Sequence, residues 1–180
     1  MPSERPDFIL RHRCGNRFGV EIAELYHSQT TARLERIPDY SAELLSGGRF
    51  RHKDDAAQIK VGKVDILTEH NEVVCSQVEA IIHDAPSLAA CAQSLAAMIR
   101  VKSEKLASRP AFLSHINLIV HDRTNVLSAT PPEQFFRLYF QPELRASLAA
   151  AAFPEVLFLT KMKDGTGFIP LKTLLLMAEV

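Results

Sequence analysis

The sequence predicts an α/β protein whose central mixed β-sheet is flanked by helices. Helices and strands alternate through the C-terminal two thirds of the chain, which is typical of this fold class. The segment SHINLIVHD at residues 114–122 is a nearly continuous apolar run, as expected for a strand that is buried on both faces of the sheet. The length of 180 residues suits one hydrophobic core, so we expect a single domain over residues 1–180.

The N-terminal part of the chain predicts a strand pair followed by short helices. Residues 7–10 and 17–25 have strand composition on either side of a turn. Residues 31–48 predict helical pieces that are interrupted at Pro38 and closed by two glycines. Residues 49–63 are predicted to form mostly loop.

The clearest helix is predicted at residues 86–106, with a proline in its first turn, where the missing N–H is harmless. Its apolar stripe runs through Leu88, Cys91, Leu95 and Ile99. The remaining predicted elements are strands at 63–69, 76–84, 155–161 and 168–172 and helices at 130–140 and 142–152.

Charge and composition restrict the partners of the chain as a whole. Lysine plus arginine and aspartate plus glutamate number 21 each, so any surface that binds a polyanion must be local. Three widely spaced cysteines fit neither a disulfide framework nor a zinc site. No apolar run approaches the length of a membrane span, and no signal peptide is expected, so we expect a cytoplasmic protein without a membrane partner.

Basic residues form two local clusters, for which solvated loop charge is the alternative to binding a polyanion. The clusters are Arg5, Arg11, Arg13 and Arg17, and Arg49, Arg51, His52 and Lys53.

Acidic residues stand out on the first strand pair. Asp7, Glu21 and Glu24 lie among Phe, Ile, Leu and Val, where a carboxylate needs a cation, a proton or hydrogen-bond donors. A three-residue loop that ends at Gly15 would place Asp7 opposite Glu21, whereas a two-residue loop would place Asp7 opposite Glu24. Two facing carboxylates repel each other unless they are neutralised, and Mg²⁺ prefers a few carboxylates together with water and phosphate oxygens. The alternative is that these acids face water or bind an arginine.

The motif RPD before a strand, a turn, and the glutamate in the strand FGVEIAEL together resemble the core of the PD-(D/E)XK nuclease superfamily. The resemblance covers residues 5–27 and 86–122, with the stretch between them read as an insertion. It implies a restriction-endonuclease-like core in which Asp7 and Glu21 bind Mg²⁺ or Mn²⁺. The family carries a lysine two positions after the strand glutamate, and Ala23 stands there in this chain.

Some members of this family take the lysine from a neighbouring helix, which directs attention to the helix at 86–106. Its apolar stripe predicts the next core-facing residue at 102 or 103, and Lys102 lies in that row, with Lys105 one turn later. The resemblance therefore implies that Lys102 or Lys105 supplies the charge that activates the base or contacts phosphate. Lys60 and Lys63 are weaker candidates, and lysines that extend into water from a helix end are the alternative.

The resemblance implies metal-dependent hydrolysis of phosphodiester bonds in nucleic acid, either DNA or RNA. Asp7 and Glu21 would bind the metal, Lys102 or Lys105 would stabilise negative charge, and Glu24 would orient water or a second ion. One alternative is a catalytically inactive module on the same scaffold that binds nucleic acid or protein. Another is an adaptor or assembly subunit without a metal. Convergence of the two metal-binding acids and a lysine at one point would favour the catalytic interpretation.

Overall fold

The computed structural model describes residues 6–83, 87–106, 112–124, 126, 130–162 and 165–178. The strands are β1 (Phe8–Arg11), β2 (Arg17–Leu25), β3 (Ile59–Leu67), β4 (Val73–His83), β5 (Ile116–Asp122), β6 (Val156–Met162) and β7 (Gly165–Pro170). The helices are α1 (Gln29–Arg36), α2 (Tyr40–Leu45), α3 (Asp55–Gln58), α4 (Leu88–Lys105), α5 (Pro132–Tyr139), α6 (Pro142–Ala150) and α7 (Leu171–Met177).

Five of the strands form a mixed sheet in the order β1-β2-β5-β6-β7. The two outer pairs, β1 with β2 and β6 with β7, are antiparallel. The two inner pairs, β2 with β5 and β5 with β6, are parallel. Helices pack against this sheet, so the predicted α/β class with a mixed, helix-flanked sheet is confirmed.

The central strand β5 is fully buried on one face only. Its residues alternate between buried and half-buried, so the expectation that it is buried on both faces is wrong. Ile116, Leu118 and Val120 lie on the buried side, where α4 contributes Leu95 and Ile99 to the same core. Side chains alternate between the two faces of a strand, and residues that pair between neighbouring strands share a face. The residues of β2 that pair with Ile116, Leu118 and Val120 therefore face the same core as α4.

The chain divides into two compact units. The first comprises Met1–His27 and Pro86–Val180 and contains the five-stranded sheet. The second comprises Ser28–Ala85 and contains α1 to α3 together with the antiparallel pair of β3 and β4. Its own small core consists of Tyr40, Leu44 and Ile59. The second unit coincides with the stretch that the sequence suggested as an insertion, while the single nuclease-like domain over residues 1–180 stays a prediction.

The prediction that residues 49–63 are mostly loop is wrong. Helix α3 lies in this range, and β3 begins at Ile59. Gly62 and the nearby Lys60 and Lys63 favour strand structure only weakly. Their pairing with β4, in which Gly62 lies opposite Ala80 and Lys63 opposite Glu79, supplies the backbone partners that local sequence does not reveal.

The C-terminal strand differs from the predicted range 168–172, because β7 begins at Gly165 and ends at Pro170, where α7 follows. The carboxylate of Glu155 accepts the backbone N–H of Lys172 at 2.8 Å and that of Thr173 at 3.2 Å. The N–H groups in the first turn of α7 have no acceptor within the helix, and these two bonds supply one. A cap supplied from outside the helix has no local sequence signal, and the helix was not predicted.

The long helix is present as α4, slightly shorter than the predicted range 86–106. Ser87 caps it by accepting the N–H of Ala90 at 3.1 Å, and residues 84–86 lie outside the described residues. None of the described helices is long and apolar enough to cross a membrane.

Candidate functional site

The turn between β1 and β2 determines which residues face each other across the hairpin. His12 N–H donates to the carbonyl of Asn16 at 2.8 Å, which leaves a three-residue loop. Gly15 has a φ of 95°, in the left-handed region that such a loop requires and that glycine adopts without strain. Phe8 therefore lies opposite Val20, the register that the three-residue loop predicts.

Asp7 lies one residue before β1, at the point where the ladder to β2 ends. Its Oδ2 accepts the backbone N–H of Ile22 at 2.7 Å, in the place of a strand carbonyl. Continuing the register by one pair puts Asp7 opposite Glu21. The preceding Pro6 is buried and packs over Gly19, so the dipeptide Pro-Asp is held against β2 at both residues.

Gly19 provides the space for this close approach, and its replacement tests the arrangement. A Cβ at Gly19 would lie 2.9 Å from Cγ1 of Ile116 and 3.0 Å from Cγ of Pro6, and both contacts are too short. We expect Gly19→Ala to lower the free energy of unfolding by about 1–3 kcal/mol in urea unfolding. Gly62→Ala is the matched control, because a Cβ there meets nothing within 4 Å. Equal stability of the two variants would contradict the packing of Pro6 on Gly19.

Glu21 and Lys102 form an ion pair between β2 and α4. The Lys102 Nζ lies 2.5 Å from Oε1 of Glu21, and the two side chains are 29% and 21% exposed. Lys102 continues the helix row that includes Leu95 and Ile99, both with no exposed surface. The prediction that Lys102 lies in the core-facing row is confirmed by this contact.

Ala23 stands at the strand position where the nuclease family that the sequence resembles carries a lysine. It lies two positions after Glu21, on the same face of β2. It is 9% exposed and belongs to the core cluster that contains Leu95 and Ile99 of α4. A lysine at this position would bury its ammonium group under the helix, whereas Lys102 reaches Glu21 from the helix side.

Glu24 lies on the other face of β2, because strand residues an odd number apart point in opposite directions. Its Oε1 accepts hydrogen bonds from Nε and Nη2 of Arg123 at 3.2 and 3.0 Å, and Tyr26 donates to Oε2 at 3.1 Å. The structure therefore does not bring Glu24 together with Glu21. Sequence reasoning missed Arg123; its signal was its place immediately after β5, a parallel neighbour of β2.

Lys105, the other candidate lysine, is the last residue of α4 and is exposed. It lies three residues after Lys102, on the same side of the helix, as the sequence predicted. The structure thus has one lysine in contact with the strand glutamate and a second one helical turn away.

The carboxylates at this site fit a hard divalent cation that keeps part of its water shell. Mg²⁺ usually binds one or two protein carboxylates together with water and phosphate oxygens. In the described part of the chain, neither Oδ1 of Asp7 nor Oε2 of Glu21 accepts a hydrogen bond. Among the same residues, no group of three or more His, Cys, Asp and Glu side chains could hold a metal ion. The donor set fits a shared site with water and phosphate and does not fit a cage made only of protein ligands.

The arrangement combines two carboxylates near one strand with an ammonium group delivered by a helix. Carboxylates can bind a divalent cation, and an ammonium group can stabilise negative charge on a phosphate. Comparison of the chain with protein-family models, with curated proteins and with solved structures finds no match.

Proposed function

We propose that the chain is a metal-dependent phosphodiester hydrolase that acts on nucleic acid, with Asp7, Glu21 and Lys102 as its site. The observation that carries the proposal is the 2.5 Å contact between Lys102 and Glu21, which are 81 residues apart in the sequence. Asp7 lies beside this pair, because it accepts the N–H of the residue after Glu21. Core packing by itself does not require two acids and a lysine to meet at one place.

The order of elements supports a restriction-endonuclease-like core and membership of the PD-(D/E)XK superfamily. An antiparallel hairpin that carries the acids is followed by the long helix α4, and then by β5, which lies parallel beside β2. The second unit, Ser28–Ala85, lies between the hairpin and the helix in sequence, as an insertion would. This order is the one that the resemblance implies.

In the proposed mechanism, Asp7 and Glu21 would hold Mg²⁺ or Mn²⁺, and that ion when bound polarises a phosphate and lowers the pKa of a water ligand. Lys102 supplies a positive charge beside Glu21, where negative charge on a phosphate would develop. Glu21 orients the Lys102 ammonium, and the Ile22 N–H fixes the Asp7 carboxylate.

Two further residues complete the assignment of roles. Lys105 is the second source of positive charge, one turn from Lys102. Glu24 has no role in this mechanism, because it faces the opposite side of β2 and binds Arg123.

The test combines metal calorimetry with cleavage of single- and double-stranded DNA and RNA. Asp7→Asn and Glu21→Gln keep the shape of each side chain and remove its charge. We expect both variants to lose the heat of Mg²⁺ or Mn²⁺ binding and to cleave at least about 100-fold more slowly. The matched control is Glu143→Gln. Glu143 forms an ion pair at 3.3 Å with Arg100, which lies on α4 as Lys102 does. The Glu143→Gln variant is expected to cleave at the wild-type rate.

Two results would contradict the proposal. The first is a wild-type protein that shows no metal-binding heat and no cleavage of any of the four substrates. The second is equal activity of Glu21→Gln and Glu143→Gln. Binding of nucleic acid or protein without cleavage would favour the alternative, an inactive binding module, for which the absence of a strand lysine at Ala23 is the supporting observation.

A further inference from the structure

Two arginines face each other directly across the β1–β2 hairpin. Arg11 lies opposite Arg17 in the strand register. The backbone N–H of Gly19 donates to the carbonyl of His115, and the carbonyl of Arg17 accepts from the backbone N–H of Ser114. The backbone groups of Arg17 and Gly19 therefore point toward β5 and away from β1. Arg11 and Arg17 are therefore a non-hydrogen-bonded antiparallel pair, the type with the shorter Cα separation of about 4.5 Å.

The charges of this pair are not neutralised by the described part of the chain. Both side chains are exposed, and neither forms a hydrogen bond or an ion pair with any described residue. Like charges directly opposite each other destabilise a strand pair. A bound anion would remove this repulsion, and the planar guanidinium of arginine matches the geometry of a phosphate group.

The arginine pair lies on the same face of the hairpin as the proposed catalytic acids. Arg17, Gly19 and Glu21 alternate onto one face of β2, and Arg11 shares that face because it opposes Arg17. Arg17 and Glu21 are four positions apart on the strand, which is a distance of about 13 Å between their backbones. A nucleic-acid strand of a few nucleotides covers this distance.

We propose that Arg11 and Arg17 bind backbone phosphates of a nucleic-acid strand that runs along the hairpin toward Asp7 and Glu21. This inference rests on the proposed function, because it assigns a phosphate subsite to the same substrate. The contacts are to the phosphate backbone, so binding through them is independent of base sequence and weakens with salt. Arg5, which belongs to the same basic cluster in the sequence, lies outside the described residues.

The test measures the binding of short fluorescein-labelled single-stranded and duplex DNA by fluorescence anisotropy. All proteins carry Glu21→Gln, so that cleavage of the DNA during the measurement is slowed by at least about 100-fold. We expect the double variant Arg11→Ala/Arg17→Ala to bind at least about 10-fold more weakly than its parent. The slope of log K against log salt concentration should fall by about 1.4 for single strands and about 1.8 for duplex, as the loss of two phosphate contacts requires.

Three control measurements separate this subsite from general effects of charge and folding. Arg100→Ala/Arg145→Ala removes the same charge from α4 and α6 and should bind DNA as the parent does. Arg11→Lys/Arg17→Lys should keep the salt dependence while losing part of the affinity, because lysine lacks the planar fork. Urea unfolding should find the Arg11→Ala/Arg17→Ala variant at least as stable as its parent, because the opposed charges are gone.

The outcomes distinguish failure of the subsite from failure of the proposed function. The subsite is overturned if the hairpin variant and the α4/α6 variant bind DNA equally, or if the parent protein binds no DNA. A third outcome also overturns the subsite: the wild type cleaves nucleic acid, and replacing both hairpin arginines in the otherwise wild-type chain leaves KM unchanged. This outcome leaves the hydrolase proposal standing. Hairpin-dependent DNA binding by a protein that cleaves nothing supports the subsite and removes the hydrolase.

Discussion

Replacement of Lys102 with alanine is expected to lower kcat for nucleic-acid cleavage by about 100- to 1000-fold. The ammonium group lies 2.5 Å from Glu21, where it can stabilise negative charge that develops on a phosphate. Removal of one such preorganised charge corresponds to about 2.7–4 kcal/mol of transition-state stabilisation. The ion pair is partly exposed, so the free energy of unfolding should change by about 1 kcal/mol or less.

Metal calorimetry distinguishes the proposed catalytic role of Lys102 from a structural one. In the wild type the Lys102 ammonium donates a hydrogen bond to Oε1 of Glu21 and competes with a metal ion for that oxygen. Replacement of Lys102 with alanine should therefore leave Mg²⁺ binding intact or make it tighter. Lys102→Arg keeps a cation and should retain part of the activity, whereas Arg100→Ala, on the same helix, should cleave as the wild type does. A Lys102→Ala variant with normal kcat and reduced stability would show that Lys102 acts only in packing.

Replacement of Asp55 with alanine is expected to lower the free energy of unfolding by about 3–5 kcal/mol, the largest effect on stability that we predict. The Asp55 side chain has no exposed surface. Thr30, Tyr40 and Arg33 each donate to it at 2.8 Å. Removal of the carboxylate leaves these donors without their acceptor in a unit whose own apolar core is small.

The neighbouring Asp54 is a matched control for this change. It accepts from the same Nη1 atom of Arg33 at the same distance of 2.8 Å, but it is 58% exposed. Water can replace its contact, so Asp54→Ala should destabilise far less than Asp55→Ala. Similar midpoints of urea unfolding for the two variants would contradict a buried network centred on Asp55.

The pH dependence of stability follows from the same network. Burial alone raises the pKa of the Asp55 carboxyl, but hydrogen bonds from Tyr40, Thr30 and Arg33 outweigh burial, and the pKa lies below its ordinary value. The ionised Asp55 carboxylate therefore stabilises the folded state in full above the unfolded-state pKa of about 3.9. This stabilisation is lost as the pH falls through the lower folded-state pKa. Urea unfolding of Asp55→Asn should lose less stability between neutral pH and acid than the wild type does. A steeper loss for the variant would contradict the lowered pKa.

Local sequence patterns predicted most elements of the first unit. The β1–β2 hairpin was predicted because residues 7–10 and 17–25 have strand composition on either side of a turn, and the structure selects the three-residue loop that ends at Gly15. Helix α4 was predicted because its apolar residues recur with the helical period. The start of β3 and helix α7 were missed, because β3 depends on pairing with β4 and α7 on a cap from Glu155.

The candidate site was predictable to the extent that it follows from periodicity. The two possible loop lengths placed Asp7 opposite either Glu21 or Glu24, and the stripe of α4 placed Lys102 on the core side. Periodicity did not indicate that Arg123 would bind Glu24, because that contact joins two parallel strands that are far apart in the sequence. It also gave no sign of the Asp55 network, whose donors come from α1 and α2.

The sequence by itself determined the two strands of the first hairpin and the helix that carries Lys102, but it left two registers of the hairpin open. The strands and the helix follow from composition and apolar periodicity, both of which act over a few residues. The length of the loop, and with it the register, was decided in the structure. Only the tertiary structure decided that Lys102 contacts Glu21 and that Glu24 turns to Arg123 on the opposite face. The packing of α4 over Ala23 and the parallel alignment of β2 with β5 bring these groups together, and both are interactions between segments about 80 to 100 residues apart.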